Sequence, residues 1–271
     1  MFEEMKIRYL LGLTAIVSFI FIILFFFLFI FSEVDIEFIV AAVDLIFYVV
    51  VPIIFFSYHF RKQQVSVYQI VHAKGIRRWI PSIFGIVIVS IAFSLGTFWL
   101  FLYSLNSFFP PLVDFLLEGT LMPENKWFFA LEIISITILA PIVEEFVFRG
   151  VILHRLIRKT SVWGGILISS LVFGFLHADF MGAFLFGIIA SLLFIRTGNL
   201  LIPILMHMIN NTIAVVLMFI APTWPDWISI LEKSDITSKA FPNAIVLIFS
   251  SILTGCIAYR LGKGVRTNKH K

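Results

Sequence analysis

Long apolar runs separated by short polar segments divide the chain from end to end. The first run, residues 9–31, contains no charged side chain, and a helix of this length crosses a hydrocarbon core about 30 Å thick. It is too long for the core of a signal peptide and no small-residue cleavage site follows it, so we expect a retained membrane helix.

Seven further runs predict helices, at residues 36–58, 79–103, 127–157, 161–177, 180–195, 199–220 and 241–261. The chain is therefore predicted to be an all-α polytopic membrane protein with about eight transmembrane helices. The runs 161–177 and 180–195, separated by the short sequence HADFMG, are each close to the minimum length for a crossing.

The distribution of basic residues supports eight spans, because lysine and arginine accumulate in short cytoplasmic loops. With eight spans and both termini cytoplasmic, every basic cluster falls on the cytoplasmic side, namely Lys6 and Arg8, then Arg61, Lys62, Lys74, Arg77 and Arg78, then Arg155, Arg158 and Lys159, then Arg196, then residues 260–271. The alternate loops have little net positive charge and fall outside. We predict a multi-pass protein of a bacterial plasma membrane.

Composition agrees with this class. The chain is 61% hydrophobic and only 13% charged, whereas soluble domains carry roughly 25% charged residues. The formal net charge of +4 is explained by membrane orientation and contact with anionic lipid, so the bilayer is the expected partner and nucleic acid is not. The sequence contains no P-loop and no dinucleotide-binding glycine pattern, and its single cysteine, Cys256, cannot form an intrachain disulfide.

Three charged side chains interrupt the apolar run ILAPIVEEFVFRGVIL in the fourth predicted span. Each costs at least about 2.5–3.5 kcal/mol at the centre of a bilayer. Glu145 and Arg149 are four residues apart, so they can pair on one helix face and neutralise each other. Glu144 points about 100° away from them. We interpret Glu144 as a reactive carboxylate beside a self-neutralising pair.

Two other spans present polar faces, because Phe173 with His177 and His207 with Asn211 are each four residues apart. At 1.5 Å per residue, Glu144, His177 and His207 lie at overlapping depths. We therefore expect a carboxylate, two imidazoles and an amide, carried by three helices, to converge in one cavity.

Two further residues of the spans receive other interpretations. Asp44, in the second span, has no partner that the sequence identifies, so a helix-packing or supporting role is preferred to a catalytic one. Pro141 removes a helix hydrogen bond three residues before Glu144 and can kink the chain beside the predicted site.

One glutamate and two histidines can activate water in two ways. Glu144, His177 and His207 can form an open three-ligand site for one divalent metal, with zinc the first choice, whose bound water loses a proton near neutral pH. Alternatively, Glu144 and His177 polarise a water directly while His207 and Asn211 donate hydrogen bonds to an oxyanion. Both schemes end in hydrolysis, and the zinc-protease helix pattern HExxH is absent.

The motifs EExxxR in EEFVFR at 144–149, FxxxH in FGFLH at 173–177 and HxxxN in HMINN at 207–211 resemble those of the CPBP family of intramembrane proteases. This family, also called CAAX protease and bacteriocin-processing or Abi, includes the type II CAAX prenyl endopeptidases and is usually labelled metalloprotease. The resemblance covers about residues 127–220, which would be a catalytic core of four helices. Residues 1–126 would hold three N-terminal spans, and residues 221–271 an outer loop, the last span and a basic tail.

The resemblance implies a glutamate-dependent endopeptidase that cleaves a membrane-associated peptide or protein. Glu144 would be the main water-activating carboxylate, with His177 beside it. His207 and Asn211 would complete the site or its oxyanion hole, and Glu145 with Arg149 would support it. Neither the motifs nor the family name identifies the substrate.

Two other functions use the same polar residues. A non-catalytic membrane partner or bacteriocin-immunity protein of this fold would be expected to have lost Glu144, His177 or His207, and all three are present. A proton-coupled transporter would also place Glu and His inside the membrane. However, the sequence lacks the inverted repeat of broken helices typical of such transporters.

Overall fold

The computed structural model describes residues 5–31, 35–64, 66–118 and 124–265. Over these residues the chain is helical and contains no strand. The predicted basic tail beyond residue 265 and parts of two predicted outer loops, 32–34 and 119–123, lie outside the described residues. The long helices are α1 Ile7–Phe31, α2 Ile36–Gln63, α3 Ile76–Phe108, α4 Lys126–Lys159, α5 Val162–Phe175, α6 Phe180–Thr197, α7 Leu201–Phe219 and α8 Ala240–Gly262.

All eight predicted spans are helices, and seven of those described are long and apolar enough to cross a membrane. The chain is thus a multi-pass integral membrane protein, as predicted. The exception is α5, which has 14 residues and is about 21 Å long. Ser161 caps its first turn by accepting the N–H of Gly164, and the chain leaves the helix at Leu176. The placement of both termini on one side stays a prediction.

Wider turns of π-helix interrupt the long helices where proline follows. They occupy Ile46–Val50 in α2 and Ser135–Leu139 in α4, and Pro52 and Pro141 come two residues after them. Proline has no N–H and its ring clashes with the carbonyl four residues earlier, so a local π-bulge accommodates it. The two π segments contact each other, close to the polar residues of α4.

Helix α6 lies at the centre of the bundle. Its residues 186–194 are all buried, and it packs on α3, α5, α7 and α8. The hairpin of α5 and α6 is tight because small residues line it, as is typical of helix pairs in membranes. A Cβ on Gly187 would lie 2.9 Å from the Ser170 Cβ. By contrast, most α1 side chains are not buried within the protein, as expected for a helix that faces lipid.

Candidate active site

Glu144, His177 and His207 meet at one place in the bundle. Glu144 lies on α4, His177 on the turn after α5, and His207 on α7. The Glu144 Oε2 atom is 3.8 Å from the His177 Nε2 atom and 3.9 Å from the His207 Nε2 atom. The side chain of His207 is 3% exposed, that of Glu144 20% and that of His177 34%. The structure therefore brings together the three residues that the sequence places at similar depth, with His177 at the open side.

The hydrogen bonds of the two imidazoles fix which ring nitrogen faces Glu144. The His177 Nδ1 lies 2.7 Å from the Phe173 carbonyl oxygen, and a carbonyl only accepts, so we assign the proton of neutral His177 to Nδ1. The His207 Nδ1 lies 3.0 Å from the Glu145 Oε1 atom, and the same assignment follows. Each Nε2 lone pair then faces Glu144.

The Glu144 Oε2 atom is buried and has no hydrogen-bond partner. Its distances of 3.8 and 3.9 Å to the two Nε2 atoms are too long for direct hydrogen bonds. Three acceptor atoms therefore face one another in a partly buried space. Such an arrangement is favourable only when donated protons, a bridging water or a cation lies between them.

Glu145 and Arg149 form the predicted ion pair, which is confirmed. The Arg149 Nη1 donates to the Glu145 Oε1 at 2.9 Å, and the two side chains are 1% and 0% exposed. The Arg149 Nη2 also donates to the Gly187 carbonyl of α6 at 3.4 Å. Because His207 donates to the same Glu145 oxygen, the pair links α4 to both α6 and α7. The adjacent glutamates thus have different surroundings: Glu145 is neutralised, whereas Glu144 is not.

Phe173 separates this ion pair from the solvent side of the site. The ring is buried, and the Arg149 guanidinium lies 4.6 Å from its centroid, in the geometry of a cation–π contact. The His177 ring lies 4.3 Å away and the His207 ring 5.8 Å away. Phe173 therefore fixes the imidazoles by packing and by its carbonyl, which explains its position four residues before His177.

Asn211 contacts the backbone of α4. In the π segment, the Ala140 N–H pairs with the Ser135 carbonyl, so the next carbonyl, that of Ile136, would pair with residue 141, which is proline. The Asn211 Nδ2 donates to this Ile136 carbonyl at 2.9 Å. Asn211 thus satisfies the group that Pro141 orphans, and it attaches α7 to α4 one turn from His207.

A second polar cluster lies beside the first. Asp44, on α2, lies near Glu132 and Ser135 on α4, and Glu132 is a residue that the sequence analysis did not single out. Tyr48 interacts electrostatically with Glu144, Asp44 and Glu132. A carboxylate inside a membrane span indicates a functional or structural polar site. Glu132 lies within the predicted span 127–157, so it could have been identified from the sequence.

The side chains around Glu144 suit a divalent metal in kind but are not spaced to bind one as they stand. Within the described ranges, no three His, Cys, Asp or Glu side chains are spaced to hold a metal as they stand. The donors themselves fit in kind and number, because one carboxylate and two imidazole lone pairs converge on one point. The unpartnered Glu144 oxygen is the observation in favour of such a group.

The core segment of the chain matches a known family. Residues 126–213 match the family model described as type II CAAX prenyl endopeptidase Rce1-like. The resemblance carried by the three motifs is therefore confirmed for this segment, which contains Glu144, His177, His207 and Asn211.

Three bacterial proteins are similar over about a third of the chain. "Putative membrane peptidase YdiL" of Bacillus subtilis (strain 168) is 38% identical over 90 residues, 32% of this chain and 37% of that protein. An "Uncharacterized 24.3 kDa protein" of Escherichia coli is 38% identical over 91 residues, 31% of this chain and 42% of that protein. "Membrane-embedded CAAX protease MroQ" of Staphylococcus aureus (strain USA300) is 34% identical over 99 residues, 33% and 40% of the two chains.

The chain thus spans about two fifths of the length of these curated relatives. No solved structure matches the chain.

Proposed function

We propose that the protein is an intramembrane endopeptidase that hydrolyses a peptide bond of a membrane-associated peptide or protein. The observation that carries this proposal is the buried, unpartnered Glu144 oxygen facing the Nε2 atoms of His177 and His207. The match of residues 126–213 to an endopeptidase family supports the same reaction class.

Glu144 acts as the general base. A water between the Glu144 carboxylate and the two imidazoles would replace contacts that are too long for direct hydrogen bonds with two or three short ones. Transfer of its proton to Glu144 produces the nucleophile that attacks the scissile carbonyl, and general-base catalysis of this kind contributes about 10²- to 10⁴-fold. His177, the most exposed of the three, lies on the side from which a peptide enters.

His207 and Asn211 stabilise the oxyanion that forms. The Glu145 carboxylate holds the His207 ring at Nδ1, so that Nε2 faces the developing charge and donates to it when the ring carries a second proton. Asn211 uses one N–H for the Ile136 carbonyl, and its second N–H is the further donor. Glu145 and Arg149 hold His207 in place.

One divalent metal, with zinc the first choice, is proposed as the cofactor. Glu144, His177 and His207 would hold it, and it would supply Lewis acidity and a bound water that ionises near neutral pH. The chain's own groups have the same roles with or without a metal. Asn211 and the Glu145–Arg149 pair hold α7 and His207 in position, and Phe173 excludes water from the ion pair.

The test compares purified wild type with Glu144→Gln on a library of membrane peptides that includes prenylated and leader peptides. Glu132→Gln is the matched control, since it makes the same change in the same helix without facing an imidazole. We expect cleavage by wild type and control, and a loss of at least about 10²-fold in Glu144→Gln. Equal cleavage by all three would refute the role of Glu144, and no cleavage by any would favour a binding or immunity role.

A further inference from the structure

The catalytic role proposed for His177 depends on a turn as well as on the helix before it. His177 lies two residues after Phe175, the last helical residue of α5, and its backbone N–H pairs with the Gly174 carbonyl at 3.0 Å. Its ring is held by the Phe173 carbonyl and remains 34% exposed. The direction of its Nε2 atom toward Glu144 is therefore set by two parts of the chain, the end of α5 that holds the ring and the turn at residues 176–179 that carries the backbone.

Asp179 anchors this turn in two directions. Its Oδ1 accepts the N–H of Gly182 at 3.0 Å and so caps the first turn of α6. Its Oδ2 accepts the hydroxyl of Ser94, a residue of α3. An ordinary N-cap needs only the first of these bonds. The second connects the turn to a span that belongs to the N-terminal part of the chain.

The hydrogen bond between Asp179 and Ser94 requires a glycine at position 182. A Cβ at this position would overlap both the Asp179 Oδ2 and the Ser94 Oγ atoms. The backbone of Gly182 is helical and its φ is not positive, so the glycine is needed for space and not for an unusual backbone conformation. Ser94 on α3, Asp179 in the turn and Gly182 on α6 are thus packed so closely that position 182 has no room for a side chain.

We propose that Asp179, through Ser94, is a positioning residue for His177. The inference rests on the proposed function, in which His177 takes part in water activation. Without the bond to Ser94, α6 keeps its cap and its packing on α3, but the Asp179 carboxylate is held less firmly and the turn that carries His177 can shift. His177 then moves relative to Glu144, and a displacement of about 1 Å in a catalytic group can cost about 10²-fold in rate.

The main variant is Ser94→Ala, which removes the hydroxyl that bonds to Asp179 and leaves both the Asp179 cap and Thr97, a second α3 residue near the same carboxylate, intact. Ser104→Ala is the matched control, because Ser104 lies on the same helix and its hydroxyl donates to the Leu100 carbonyl of that helix. We expect Ser94→Ala to lower kcat about 10- to 100-fold with little change in KM, while Ser104→Ala stays at the wild-type rate. Ser94→Thr keeps the hydroxyl and should recover most of the activity.

Gly182→Ala approaches the same contact from the other side. It leaves every hydrogen-bonding group in place but inserts a methyl group between Asp179 and Ser94, so it should reproduce the kcat loss of Ser94→Ala. A combination of the two should lose little more than either alone, because both act on one bond. Additive losses would overturn the proposal.

The hydrogen bond between Asp179 and Ser94 can be called a clamp, because it ties the turn to α3. Hydrogen exchange of the backbone amides at 177–183 tests this clamp without an activity assay. We expect faster exchange in Ser94→Ala than in wild type or Ser104→Ala. Unchanged exchange would overturn the clamp itself, and faster exchange with an unchanged kcat would overturn its role in positioning His177. If wild type cleaves no peptide, the proposed function fails and the proposal for His177 fails with it, whereas the exchange result still decides whether the clamp exists.

Discussion

Removing the positive charge of the buried pair, by Arg149→Met, is the sharpest test of how the site is held. The Arg149 and Glu145 side chains are 1% and 0% exposed and 2.9 Å apart. At this distance and an effective dielectric constant of about 20, the gross attraction is roughly 6 kcal/mol. Desolvation offsets part of it in the folded protein. The substitution, however, leaves an uncompensated buried carboxylate, which typically costs about 3–5 kcal/mol.

Contacts of Arg149 with other groups add to this loss. Its guanidinium packs on the Phe173 ring and donates to the Gly187 carbonyl, and a desolvated cation–π contact contributes up to about 2 kcal/mol. We expect a loss of about 3–5 kcal/mol in the free energy of unfolding. The second substitution, Glu145→Gln, removes the unpaired charge and should recover at least about 1.5 kcal/mol.

The assay is reversible unfolding in mixed detergent micelles, followed by far-UV circular dichroism, for both single variants and the double variant. Lys233→Met is the control, because Lys233 and Asp114 are also 2.9 Å apart but 39% and 54% exposed. An exposed pair contributes only about 0–1 kcal/mol. A loss below about 1 kcal/mol in Arg149→Met, or a double variant as unstable as the sum of the singles, would refute the reasoning.

Three further predictions concern separate parts of the site. Asn211→Leu leaves the Ile136 carbonyl without its donor and should lower the free energy of unfolding by about 1–3 kcal/mol; an unchanged midpoint in the same titration would contradict this. Gly187→Ala should cost about 1–3 kcal/mol, since its Cβ would press on Ser170, whereas Gly85→Ala, with nothing within 4 Å, should cost nothing. Wild type should carry about one zinc per chain by elemental analysis and His207→Ala far less, with the buried His59→Ala as control; equal zinc in all three would exclude His207 as a ligand.

Much of the fold could be predicted because the membrane imposes simple rules on a sequence. A helix that satisfies its own backbone must be apolar over about 20 residues, so the ends of α4 and α8 follow closely from composition, whereas α3 extends beyond its predicted span 79–103 at both ends. The predicted span 161–177 shows the limit of this rule. Its apolar run is long enough, yet α5 ends at Phe175, because His177 and Asp179 are needed in a turn against other helices.

The π segments show another limit. Spacing arguments assume 3.6 residues per turn, whereas α4 contains wider turns at Ser135–Leu139 and Phe146–Ile152. The pairing of Glu145 with Arg149 survives because the two remain close on one face. The role of Asn211 could not be foreseen in the same way, since it depends on which carbonyl Pro141 orphans, and that is visible only once the turn widths are known.

The sequence by itself determined the class of protein and the number of long helices. It also identified the main polar residues of the site, because a charged side chain inside a membrane is costly and is therefore a sign of function. The tertiary structure decided how those residues divide their roles. His207 donates to Glu145, which is already neutralised by Arg149, and only Glu144 is left facing two imidazole nitrogens. Such distinctions depend on distances between side chains of different helices, 3.0 Å for His207 to Glu145 against 3.8 and 3.9 Å for the imidazoles to Glu144, which no pattern along one helix contains.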